Sequence, residues 1–203
     1  MQLPIDISTI KGFLDPAEGA ALHQHCLATA PLGPCLEVGS YCGKSTVYLG
    51  TAAKQANNIV YAVDHHRGSE EHQLGEEYHD PDLYDAGIGL MDSFREFRKA
   101  MRAAQLENHV VPIVAPSTVA ARHWATPLGM VFIDGGHSWE AALNDYRSWV
   151  AHIRVGGILA IHDIFPDPTQ GGQAPYDIWK LAKASGLFEE LPMVKTLGLF
   201  RRV

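Results

Sequence analysis

The sequence predicts an α/β protein, a mostly parallel sheet covered by helices on both faces. Short apolar, β-branched runs recur along the 203 residues, stretches of helical character separate them, and acidic side chains sit at most of the runs' carboxyl ends. A chain of this length holds one well-buried core and is too short for two, so residues 1–203 are read as a single domain.

The elements follow in order. Asp15-Pro16-Ala17-Glu18 supplies an N-cap, a proline at the first helical position and a glutamate at the third, and starts a helix that runs to about residue 30. Strand 35–38 leads to helix 44–56 and strand 59–63. A long polar segment at about 65–91 separates these from helix 92–105, strand 110–114 and a short helix opening at Ser117. Strand 130–133, helix 138–151 and strand 157–161 come next. A Pro/Gly-rich loop then leads to helix 176–185 and a final pair of strands through Phe200, which makes seven strands in all.

The formal net charge of -7, with no Lys/Arg run, argues against nucleic acid and leaves a small molecule as the expected partner. Cys26, Cys35 and Cys42 are odd in number and show no metal or redox spacing, as reduced thiols of a cytoplasmic protein would. The first residues, Met-Gln-Leu-Pro-Ile-Asp-Ile-Ser, lack a basic region and a long apolar stretch, so neither a signal peptide nor a membrane span is expected. A homo-oligomer stays open.

Residues 35–45, Cys-Leu-Glu-Val-Gly-Ser-Tyr-Cys-Gly-Lys-Ser, read as a strand, a glycine-punctuated turn and a helix start, which together make a ligand cradle. Gly39, Ser40, Gly43 and Ser45 are its candidate ligand contacts. The triphosphate loop G-x-x-x-x-G-K-[ST] fails by one residue, because Gly39 and Gly43 enclose only three positions and Val38 stands where the first glycine belongs. The dinucleotide pattern G-x-G-x-x-G fails at Tyr41. A P-loop or dinucleotide enzyme using 39–45, or a non-catalytic cofactor-binding module, remain the alternatives. Strand 59–63 ends in Asp64, 25 residues after Gly39, where a carboxylate can accept both hydroxyls of a ribose. Glu37, read as the tip of the first strand, is expected near a ligand ammonium.

Ligands of such sheets bind beyond the carboxyl ends of the strands. Those ends carry Glu37, Asp64, Ala115-Pro116-Ser117, Asp134 and His162-Asp163, and four of the five are acidic. Asp134, His162 and Asp163 follow neighbouring strands and are expected within reach of one divalent cation. His137, three residues past Asp134 after a Gly-Gly turn, would place a near-neutral base beside it.

The pattern E-x-G-x-x-x-G-x-S from Glu37 to Ser45 resembles the first motif of class I S-adenosylmethionine-dependent methyltransferases. From about Cys35 to Asp163 the chain is similar to the bacterial branch that includes macrocin-type sugar O-methyltransferases, and its site pattern to catechol O-methyltransferase. The resemblance implies a Rossmann-like sheet of seven strands and methyl transfer from S-adenosyl-L-methionine to an oxygen of a small-molecule acceptor. Glu37, Gly39, Ser40, Gly43, Ser45, Asp64, His65, Ser117 and Asp134 would then hold the cofactor. It also implies a metal on Asp134, His162 and Asp163, with His137 taking the acceptor's proton and His162 and Asp163 sharing in catalysis. Histidine at 162 replaces an oxygen ligand of that pattern and shifts the expected ion from magnesium toward zinc, iron or manganese.

The segment 65–91 is too long for a simple turn and rich in histidine, and is expected to act as a lid in which His65 and His66 touch ligand. A zinc pair at His72 and His79 shows no recognised spacing.

Overall fold

A computed structural model describes residues 2–69 and 80–203. Seven strands form the main sheet in the order β5-β2-β1-β6-β7-β9-β8. They are β1 (Cys35–Val38), β2 (Val60–Asp64), β5 (Val110–Val114), β6 (Leu128–Ile133), β7 (Ile153–Ile161), β8 (Phe188–Val194) and β9 (Leu197–Arg202). The pairs from β5 through β7 are parallel, and β9 runs antiparallel to both β7 and β8. Two features escaped the sequence reading: β3 (Tyr84–Asp85) and β4 (Leu90–Met91) pair as a small hairpin inside the polar segment, and β7 begins four residues before the expected 157.

Strand alternation divides the core. Cys35, Val60, Ala62, Met130, Phe132, Ile158 and Ala160 face α1 (Pro16–Thr29), α2 (Lys44–Gln55) and α3 (Phe94–Ala103), where Leu22, Leu49 and Phe97 complete the packing. Leu36, Val38, Val131, Ile133, Leu159 and Ile161 face the other way, onto α4 (Ser117–Ala120), α5 (Trp139–Trp149) and α6 (Ala174–Ala184) through Ala120, Tyr146, Trp149 and Ile178. Side chains at 37, 64, 134 and 162 continue the first set, so they lean toward α1 and α2 rather than straight out of the sheet.

The capping box at the start of α1 is present as the sequence predicts. The Asp15 side chain accepts from the Ala17 N–H, and the Asp15 N–H donates to Glu18 Oε2 at 3.0 Å. Cys26, Cys35 and Cys42 are unpaired and buried. No helix among the described residues is long and apolar enough to cross a membrane.

Candidate active site

The carboxyl ends of β5, β2, β1, β6 and β7 open into a cavity of about 440 Å³, a size suited to a small organic ligand. Lys11 to Leu14 close its far side. Of the residues singled out in the sequence, Gly39, Ser40, Ser45, Asp64, His65, Ser117, Asp134, His137, His162 and Asp163 all line it.

The glycine turn is built around Asp64. The Ser40 and Tyr41 N–H groups donate to Asp64 Oδ2 at 2.9 and 2.8 Å, and the His66 N–H donates to Oδ1 at 2.7 Å. Both lone pairs of Oδ2 are thus engaged, and Oδ1 keeps one for a ligand hydroxyl. Gly39 has φ +83°, and a Cβ there would overlap the Asp134 carbonyl, so the turn passes over the β6 tip only because this residue has no side chain. Ser40 Oγ is buried beside the cavity with no hydrogen-bond partner among the described residues. An orphaned buried hydroxyl at that place is suited to a polar ligand atom.

Three expectations need correction. Glu37 does not reach the cavity: it shares the Cys35 face of β1, is fully buried, and accepts from Ser45 Oγ at 2.6 Å and Thr46 Oγ1 at 2.5 Å. Burial pushes its carboxyl up to about 8, with the two hydroxyls opposing, and through those hydroxyls it ties the start of α2 to β1. Gly43 serves helix packing, since a Cβ there would press on Met101 and Phe97 of α3. His66 is buried, its Nδ1 2.8 Å from Ser93 Oγ and its ring against Phe94 and Phe97, away from the cavity. The Lys44 ammonium, which a phosphate loop would aim at its ligand, donates instead to the Gly12 carbonyl at 2.7 Å. Residues 70–79, with His72 and His79, lie outside the described residues, so the lid reading is described only at its ends.

At the β6 and β7 tips the expected cluster forms. One donor atom each from Asp134, His162 and Asp163 lie within 4.8 Å of one another. His162 Nδ1 is 3.0 Å from Asp134 Oδ1 and 3.4 Å from Asp163 Oδ1, while His137 Nε2 is 3.2 Å from Asp163 Oδ2. Asp163 sits at φ +58°, an uncommon conformation that turns its carboxylate back over His162 and His137. Burial would raise Asp163, but the two imidazoles hold it well below the usual carboxylate range.

Two further acids belong to the site, and the sequence reading missed both. Glu18 of α1 is buried, with Oε2 3.0 Å from His162 Nε2 and Oε1 accepting from the Thr196 N–H and hydroxyl at 2.8 and 2.7 Å. Burial opposes its charge, yet His162 and Thr196 hold it down at about 2. Burial likewise opposes charge on His162, and Asp134, Asp163 and Glu18 overcome it and raise the ring well above its ordinary range. Asp145 of α5 lines the cavity and is buried; that burial pushes its carboxyl up to about 6, against a hydrogen bond from Ser117. Glu18 had a signal, its capping position, but its partner is 144 residues away.

A family model described as a methyltransferase domain matches residues 36–164. Among solved structures, cofactor-bound Rv0187 from MTB aligns at 14% identity over 96% of this chain and 84% of that one, with a TM-score of 0.68. The O-methyltransferase NovP aligns at 14% identity over 91% of this chain and 79% of its own, also at 0.68. TomG from Streptomyces achromogenes, an O-methyltransferase solved with S-adenosylmethionine, aligns at 14% identity, 94% and 82% coverage and 0.63. At these identities the solved structures share the fold.

Proposed function

The chain belongs to the methyltransferase domain family across residues 36–164, and from that premise we propose that it moves the methyl group of S-adenosylmethionine to an oxygen of a small-molecule acceptor. The observation that carries this is one cavity holding both the Gly39–Ser40–Asp64 cradle and the His137–Asp163 pair. The fit to the cofactor rests on the remaining Asp64 Oδ1 lone pair for a ribose hydroxyl, the unpartnered Ser40 hydroxyl, and the bare Gly39 backbone. When bound, S-adenosylmethionine supplies a methyl group already activated on a sulfonium. The residues of the chain then need only align the acceptor, exclude water and accept one proton, and His137, oriented by Asp163, stands where that proton leaves.

S-Adenosylhomocysteine at a hundredfold excess over its dissociation constant is expected to stabilise the protein by about 2.7 kcal/mol, while ATP and NAD do not. Asp64→Ala should weaken that binding by about 1.5–3 kcal/mol. Isothermal calorimetry that detects no S-adenosylhomocysteine binding at millimolar concentration would overturn the assignment.

We also propose that Asp134, His162 and Asp163 accept a divalent cation. With Nε2–H donating to Glu18, His162 keeps its Nδ1 lone pair on the side of the two aspartates, the arrangement by which a carboxylate orients a metal-bound imidazole. One nitrogen and two carboxylate donors suit manganese, iron or zinc better than magnesium. Such an ion would lower the pKa of a bound acceptor hydroxyl. The same distances suit a doubly protonated His162 standing among the carboxylates without an ion. Titration with Mn²⁺ or Zn²⁺ separates the two: a single site lost in Asp163→Asn supports the metal, and no saturable binding supports the imidazolium.

A further inference from the structure

The His66 side chain turns away from the cavity, yet its backbone is part of the Asp64 site. Its N–H donates to Asp64 Oδ1 at 2.7 Å, the oxygen that keeps a lone pair for a ligand hydroxyl. That bond reaches back along the chain and holds His66 at φ +59°, a left-handed conformation that few residues with a side chain adopt and that persists only where the surroundings impose it. The ring supplies that constraint. It is buried, its centre 4.9 Å from that of Phe94 and 5.4 Å from that of Phe97, with Nδ1 2.8 Å from Ser93 Oγ. The Ser93 N–H donates in turn to the His66 carbonyl, so side chain and main chain are both fastened to the start of α3.

This place fits a neutral imidazole. His66 Nε2 is buried with no hydrogen-bond partner among the described residues, so a second ring proton would sit there as a donor without an acceptor, against two phenyl rings. The charged and titratable groups that face the ring are Asp64 from β2, His65 beside it, and Asp92, which pairs with Arg67 at 3.9 Å. From α3 come Phe94 and Phe97, with the Arg98 guanidinium over the Phe94 ring. Burial is the largest influence and holds the imidazole below its ordinary 6.5, against Asp64, Asp92 and the Tyr41 backbone and with His65.

Resting on the cofactor reading above, we infer that His66 is a positioning residue that makes the Asp64 site sensitive to acid: the packed neutral ring holds its amide on the carboxylate, and protonation expels the ring and frees the carboxylate to turn. The direction of the shift fixes the sign. A ring held below its ordinary value leaves the site fully set above pH 6.5, and the support is lost as the pH falls below that value.

The test is the calorimetric affinity for S-adenosylhomocysteine at about pH 7.5 and about pH 5.5, in the unmodified protein and in His66→Asn. Asparagine tolerates a positive φ better than most side chains, keeps the backbone N–H and does not titrate. The unmodified protein is expected to bind about three- to tenfold more weakly at the lower pH, because apparent affinity scales with the fraction of molecules whose site is set. His66→Asn should match it at the higher pH and lose most of that drop. All other ionisable groups of the cavity are common to the two proteins, so the difference between them belongs to His66. An equal drop in both overturns the inference, and so does constant affinity in the unmodified protein, which needs no variant to fold. If His66→Asn does not fold, the His66 ring followed by NMR decides: its titration is expected to move to lower pH when S-adenosylhomocysteine binds, and an unmoved titration overturns the inference. Absence of binding by the unmodified protein at either pH overturns the cofactor reading itself, so the two failures are distinguishable.

Discussion

Replacing His137 by alanine is expected to cut turnover on any oxygen acceptor by ~10²–10⁴-fold while leaving S-adenosylhomocysteine affinity nearly unchanged. His137 lies on the β6–α5 turn, and its Nε2 meets Asp163 Oδ2 at 3.2 Å, so a carboxylate that is itself held well below its usual range orients the ring. Both groups line the cavity on the far side of Asp134 from the Gly39 turn. The side chain therefore has the position and partner of a proton acceptor, and among the described contacts of the cradle it has none to Asp64 or Ser40. An attacking hydroxyl must lose its proton as the carbon–oxygen bond forms, and without the imidazole that proton passes to solvent. The measurement is kcat and KM for the acceptor alongside the dissociation constant for S-adenosylhomocysteine. A variant that keeps full kcat assigns the proton elsewhere and leaves His137 as an Asp163 partner only.

The sequence revealed the sheet and most strand tips because both are local signals. Apolar runs of four to six residues, most of them closed by an acid or a glycine, mark where a parallel strand emerges, and all seven strands overlap those runs, with β6 and β7 starting two and four residues earlier than expected. Parity was also legible but went unused. Counting in twos from Cys35 places Glu37 on the face covered by α2, where Ser45 and Thr46 bind it, and its pairing with Ala62 and Phe132 sets it one side-chain repeat below Asp64 and Asp134, short of the cavity. Gly43 misled in a different way, since a glycine that admits a ligand and one that admits a packed helix look alike in sequence. Asp145 was hidden by its place on a helix, where one aspartate among polar neighbours reads as solvated surface. In the fold it is buried and lines the cavity beside Gly135.

The largest stability effect is expected at Glu18, which joins α1, the β7 tip and the β8–β9 turn through a single carboxylate. Four groups depend on it: His162 Nε2, the Thr196 N–H and hydroxyl, and the Asp15 N–H. Glu18→Leu removes every acceptor and leaves a buried imidazole nitrogen and a turn amide without partners, and breaking a buried charged pair of this kind costs about 3–5 kcal/mol. For a chain of this size that lowers Tm by roughly 6–20 °C. Glu18→Gln should cost less, because the amide keeps an acceptor for Thr196 and loses the charge facing His162. The pH dependence separates charge from shape. The Glu18 carboxyl is held at about 2, below its ordinary 4.5, so its contribution is complete above pH 4.5 and is lost as pH falls through 2. Thermal melts of the unmodified protein and Glu18→Gln should differ most above pH 4.5 and converge toward pH 2. A gap between them that holds constant across that range would assign Glu18 a packing role and remove the ion pair from the account of why His162 points where it does.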